Sequence, residues 1–141
     1  MLIWKKGRFD DETAEFKRIT QEFVGDNATD IREGMKYLRK VYTSSRPMAL
    51  ENTLWKKIQN TGSYKVKSMK DVFGNLKKDG VVRDTDRIVK QYTDGSADCP
   101  IVLLAPGNVP YEYQLIAGNT RLSIARALKI KPKIILVKTD W

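Results

Sequence analysis

The chain of 141 residues contains no histidine and a single cysteine, Cys99. Without histidine, zinc sites of the Cys/His kind and Ser-His-Asp or Cys-His nucleophile systems are excluded, and neither zinc nor haem is expected. One cysteine cannot form an intramolecular disulfide. Cys99 lies between an Asp-rich turn and Pro100 and reads as an inert, partly buried small residue. No run of about 18 apolar residues occurs, so no membrane-spanning helix is expected. The opening Met1-Leu2-Ile3-Trp4-Lys5-Lys6 places its charges after a very short apolar stretch. A secretory signal has the reverse order, so the expected location is a cytoplasm. Internal repeats and low-complexity segments are also missing. Any chemistry must therefore rest on carboxylates, lysine, arginine, hydroxyls, backbone amides or a divalent ion held by carboxylates.

What the chain does have is positive charge: 26 Lys+Arg against 17 Asp+Glu, a net +9. A surplus of that size favours polyanionic partners such as nucleic acid, nucleotides or an acidic protein. The competing reading is solubility alone, because the cations are spread along the chain. A hydrophobic fraction of 41% with 30% charged residues predicts one domain with a modest core.

Local patterns predict the elements. Leu2–Trp4 suits a short strand or clasp. Phe16, Ile19 and Phe23 fall at helical spacing behind the acids Asp10 and Asp11, and Gly25-Asp26-Asn27 breaks that helix. A second helix is expected from Asp30, paired with Glu33 in a capping-box-like arrangement, burying Ile31, Met35, Leu38 and Tyr42. Thr43–Pro47 reads as a loop, followed by a short helix carrying Trp55 and ended by Asn60-Thr61-Gly62. Tyr64–Lys67 alternates as an edge strand would, and Ser68 reads as the cap of a helix with Met69, Val72, Phe73 and Leu76 inside and Lys77–Gly80 at its end. Asp84 is the expected cap of a further short helix through Ile88 and Tyr92, and Thr93–Ser96 reads as a turn.

The last third is the most informative. Pro100–Ala105 is a continuous apolar run of strand length, and Tyr111–Ala117 is a second strand joined to it by a hairpin through Gly107–Pro110. Gly118-Asn119-Thr120-Arg121 then opens a helix with Leu122, Ala125 and Leu128 inside and Ile124 beside them, capped by Asn119 or Thr120. Lys131-Pro132 ends it, and Lys133–Val137 reads as a third strand. A strand entering a helix through glycine exposes free amides at the positive end of the helix dipole, which suits an anion. Asn119 and Thr120 add neutral donors there, and Arg121 a forked cation. The alternative is plain connection chemistry with a solvated Arg121.

At these residues the chain resembles the ParB/sulfiredoxin superfamily. The resemblance rests on Cys99-Pro100-Ile101-Val102-Leu103-Leu104 and on Tyr113-Gln114-Leu115-Ile116-Ala117-Gly118-Asn119-Thr120-Arg121-Leu122. The phrase Leu115–Leu122 is most similar to ParB-like domains of small bacteriophage proteins, often described as nuclease-type, and would place the chain in a host cytoplasm. The implied fold is α+β: a small mixed sheet with a strand–Gly-turn–helix–strand unit, elaborated by N-terminal helices. One domain, 1–141, is expected, with the elaboration over about 8–62 and the core over about 63–141. The resemblance implies that Gly118 and Arg121 face the phosphates of a nucleoside triphosphate, ATP or CTP, with Mg2+. Lys65-Val66-Lys67-Ser68 is similar to the Lys-x-x-Ser segment that helps sulfiredoxin hold its nucleotide, which adds Lys65 and Ser68 to the candidate site.

Departures from the family narrow the function. Asn119 stands where sulfiredoxin has cysteine and Thr120 where it has histidine, which argues against sulfinic-acid reduction. ParB has a second arginine at the place of Thr120 and a downstream helix-turn-helix; the chain is therefore not expected to act as a full partition clamp. The leading expectation is a nucleotide- or phosphate-binding protein acting on or beside nucleic acid. Its enzymatic version is triphosphate-dependent phosphoryl transfer or hydrolysis, with Asp84 or Asp86 as base or metal partner, unless these two serve only as helix caps. The alternatives are a non-catalytic DNA-binding protein and a phage factor that binds and modulates a host protein through Trp4, Trp55 or Tyr64. Whether the chain is an enzyme is left open at this level.

Overall fold

The computed structural model describes residues 2–78, 85–107 and 112–141. Strand β1 (Ile3–Lys5) leads into a single 3-10 turn, Phe9–Glu12, and then α1 (Thr13–Val24), which buries Phe16 and Ile19 as their spacing predicts. Helix α2 (Ala28–Ser44) starts earlier than the Asp30–Glu33 pair suggested. The Asn27 side chain accepts from the amides of Thr29 and Asp30 at 2.9 and 3.1 Å, so an asparagine cap is available before Asp30 is reached. The expected loop after Tyr42 is shorter than its composition implied. Lys6 Nζ donates to the carbonyls of Tyr42, Thr43 and Ser45, supplying the cation that the end of α2 needs. The chain then forms a strand, β2 (Pro47–Ala49), before α3 (Asn52–Lys57) and the two-residue strand β3 (Ile58–Gln59).

Tyr64–Lys67 is not a strand. Ser63–Lys65 is a 3-10 turn, because Trp55 Nε1 donates to Ser63 Oγ and the Ser63 amide bonds Thr61 Oγ1. Local side-chain bonds there outcompete a ladder. Helices α4 (Met69–Lys78) and α5 (Thr85–Thr93) follow. Phe73, expected inside α4, is 51% exposed. Asp84, Asp79-Gly80 and the hairpin tip at 108–110 lie outside the described residues. The turn after Thr93 continues into β4 (Ser96–Asp98), which pairs in parallel with β1.

Strands β5 (Ile101–Leu104) and β6 (Tyr113–Ala117) form the expected antiparallel pair, α6 (Asn119–Ala127) follows, and β7 (Lys133–Lys138) lies parallel to β5. The five-stranded sheet has the order β2-β7-β5-β6-β3. Both outer strands come from the segment expected to be a helical elaboration. The sheet is mixed and the chain α+β. Alternation along β5 and β7 sends Ile101, Leu103, Ile135 and Val137 into a core shared with Phe16, Ile19 and Leu38, while Val102 and Ile134 join Trp55, Ile58 and Leu122 on the opposite face. Helices therefore cover both faces. Leu128, expected inside α6, lies just beyond its last residue and is 37% exposed.

Candidate functional site

The α6 entrance forms around Gly118. Its φ is +104°, and an added Cβ would lie 2.7 Å from Pro100 Cβ and 2.8 Å from Pro100 Cα. Glycine is thus required by backbone conformation and by contact with the strand that carries Pro100. Gly118 itself is the cap, and Asn119 is the first helical residue rather than the cap.

Asn119 has a different engagement. Its Oδ1 accepts from Thr61 Oγ1, which lies 2.8 Å from Ser63 Oγ, which in turn accepts from Trp55 Nε1 at 3.2 Å. Thr61 spends its single hydroxyl hydrogen on Asn119 Oδ1, so Ser63 Oγ donates to Thr61 and the relay runs from Trp55 through Ser63 and Thr61 to Asn119. It occupies the Asn119 side-chain oxygen and leaves the NH2, a donor, on an exposed residue of the first helical turn. Thr120 is partly exposed beside it.

Arg121 does not stand free at this opening. Its guanidinium donates to Glu12 Oε1 at 2.8 Å and to the Cys99 carbonyl at 3.3 Å, and its own carbonyl accepts from Tyr92 OH at 2.6 Å. The side chains of Arg121 and Glu12 are 18% and 25% exposed. The ion pair ties α6 to the turn before α1 and to the β4–β5 junction. Nothing in the sequence singles out Glu12, because a partner 109 positions away leaves no local signal. Burial dominates the neighbouring acids. It pushes the Tyr42 hydroxyl up to about 12 and the Cys99 thiol up to about 12, the latter partly offset by Arg121, and it also raises Tyr92. Cys99 is buried and protonated at neutral pH, as suits an inert residue.

The remaining candidates are distributed around α6. The Ser63–Lys65 turn and α4 both pack against this helix, but Val66 and Lys67, between Lys65 and Ser68, border its far end beside Arg126 and Lys129 rather than the Gly118 opening. Lys65 is exposed with its ammonium 5.6 Å from the Tyr64 ring centre, and the Ser68 carbonyl accepts from the amides of Asp71 and Val72 to begin α4. Asp86 is exposed in the first turn of α5, which also packs on α6; Asp84 lies outside the described residues. Among the described residues no group of three His, Cys, Asp or Glu side chains could hold a metal ion. No helix among them is long and apolar enough to cross a membrane. Of the three aromatic anchor candidates, Trp4 and Trp55 are buried and Tyr64 is half-buried. Thr61, Ser63, Tyr92 and Glu12 were missed by sequence reasoning; only Thr61 and Ser63, polar residues beside a glycine near a tryptophan, carried any hint. Compared with protein-family models, curated proteins and solved structures, the chain matches none of them.

Proposed function

We propose that the chain is a ParB/sulfiredoxin-like binding protein that takes a phosphate group, on a nucleotide or a nucleic-acid strand, at the opening of α6. The observation that carries this reading is the relay from Trp55 through Ser63 and Thr61, which holds the Asn119 side-chain oxygen and leaves its NH2 as a donor on an exposed residue at the positive end of a nine-residue helix. Donors held in place before the ligand arrives lose little freedom on binding. Thr120, partly exposed beside Asn119, supplies a further donor, and a net charge of +9 favours the approach of a polyanion. Arg121 is a positioning residue here, holding α6 through Glu12. The reading is of binding; Asp86 provides one carboxylate near α6, and phosphoryl transfer with ATP or CTP and Mg2+ remains the enzymatic form of the same proposal.

The experiment is calorimetric titration with ATP, CTP, GTP and UTP, each with and without Mg2+, and with a short single-stranded oligonucleotide. Asn119→Asp keeps the acceptor for Thr61 but replaces the NH2 donor by a negatively charged oxygen. Saturable binding of one of these ligands, weakened at least tenfold in Asn119→Asp at unchanged thermal stability, supports the site. Equal binding by both proteins, or none by either, overturns it. Arg121→Ala is the poorer probe, because it also breaks the pair with Glu12.

A further inference from the structure

The opposite end of α6 borders a second concave surface. A groove of about 830 Å³ lies between β2, the start of α3, Val66-Lys67 and the α6–β7 connection, within the range of roughly 300–1,000 Å³ usual for ligand clefts. Leu50, Trp55, Val66 and Pro132 give it an apolar lining. Lys67, Arg126, Lys129 and Lys131 surround it, all exposed, against one carboxylate, Glu51. The groove thus combines apolar walls with a cationic rim.

It also adjoins an unpaired sheet edge. Among the described residues β2 pairs only with β7, with Met48 opposite Ile134. The Leu50 amide donates to the Pro132 carbonyl at 3.2 Å, two residues further along the same register. Antiparallel pairs alternate, so Met48 bonds inward and the backbone groups of Pro47 and Ala49 point away from β7. Pro47 occupies an outward position where a missing N–H costs no ladder bond. Ala49, exposed and lining the groove, presents both an N–H and a C=O.

We infer that this edge and groove dock an extended acidic segment of a partner protein, which adds as a strand to β2, sets apolar side chains in the groove and pairs its carboxylates with the lysine rim. A nucleic-acid strand would satisfy the rim but leave the Ala49 edge and apolar walls unused. Trp55 offers no stacking face for a base either: it is 4% exposed and Arg126 lies 5.2 Å from its ring centre. The surface is distinct from the α6 opening and stands whether or not that site takes a phosphate.

The test uses the full chain, 15N-labelled, titrated with a capped peptide alternating Glu and Leu, its Lys-Leu counterpart and a short oligothymidylate. The expected result is saturable binding of the acidic peptide with a shift of the Ala49 amide resonance, and binding of the Lys-Leu peptide at least tenfold weaker. Lys129→Glu/Lys131→Glu, which alters only exposed side chains, should weaken the acidic peptide at least tenfold, and Ala49→Pro, verified folded by circular dichroism, should abolish its binding. The proposal is overturned if the acidic peptide does not bind at millimolar concentration, if both peptides bind alike, or if the double charge reversal leaves affinity unchanged. It is equally overturned if a folded Ala49→Pro still binds, or if the oligothymidylate displaces the peptide and shifts the same resonances.

Discussion

Gly118 illustrates how one residue can satisfy two readings. A glycine at a helix entrance suits a phosphate, yet here it is already demanded by a φ of +104° and by the Pro100 backbone. Gly118→Ala would incur about 1–2 kcal/mol for the left-handed conformation, and Pro100 Cα cannot rotate out of the way as a side chain would. The expected loss is about 3 kcal/mol or more in urea unfolding, with or without any ligand; a loss near zero would contradict the contact with Pro100. Cys99 supports a second prediction at this scale. Its thiol is raised by burial from 9.0 to about 12, so the folded state holds a proton that the unfolded chain releases. Stability from this group is complete below pH 9.0 and is lost as pH rises toward 12, at about 1.4 kcal/mol per pH unit. Tyr42 adds a similar decline beginning near its ordinary value of 10.0. Thermal melts of Cys99→Ala should therefore hold their midpoint to higher pH than wild type. Identical alkaline profiles would show that Cys99 does not carry the proton.

At the scale of elements, the helices and the last three strands were legible because their signals are local. Phe16 and Ile19 sit at helical spacing, and the apolar run Ile101–Leu104 has the length and composition of a central strand. What escaped was decided by distant partners: β2 exists by pairing with β7, β4 by pairing with β1, and Arg121 is oriented by Glu12. Three-residue strands have too few positions for alternation to register. The α1–α2 crossing was equally invisible. Gly34 lies inside α2, where glycine is a poor helix former, and an added Cβ there would lie 2.5 Å from Thr20 Cγ2. Thr20 is fully buried and its Oγ1 donates to the Phe16 carbonyl at 2.7 Å, so its methyl cannot turn aside without losing that bond. Gly34→Ala gains about 1 kcal/mol of helix propensity and meets an overpacking cost of about 1–3 kcal/mol. A net destabilisation is expected, relieved when Thr20→Ala is added. Purely additive effects in that double-mutant cycle would exclude close packing of the two helices.

For the whole molecule, the question is whether residues 1–62 decorate an independent core or complete it. Residues 63–141 contain the sheet centre, α6 and the Gly118 turn, and from sequence they are the expected core of a single domain, with residues 8–62 as its helical elaboration. The packing argues otherwise. Both edge strands, β2 and β3, precede residue 63, and so do Leu50, Trp55 and Ile58, which share one face of the sheet with Val102, Leu115, Leu122 and Ile134. On the other face Phe16, Ile19, Leu38 and Tyr42 are all buried against the sheet and its helices. The C-terminal Trp141 stacks on Phe23 at 4.9 Å and lies 5.7 Å from Tyr37. Removing residues 1–62 would strip apolar cover from both faces, expose the backbone edges of β6 and β7, and leave Arg121 without Glu12. The fragment 63–141 is therefore expected to show no cooperative thermal transition and to bind a hydrophobic dye strongly, whereas the full chain melts in one step. Adding the 1–62 peptide in trans should restore part of the transition, since the contacts it supplies are noncovalent. A fragment that unfolds cooperatively on its own would instead mean that the N-terminal helices are an addition to a self-sufficient core, and that the sheet tolerates the loss of both outer strands.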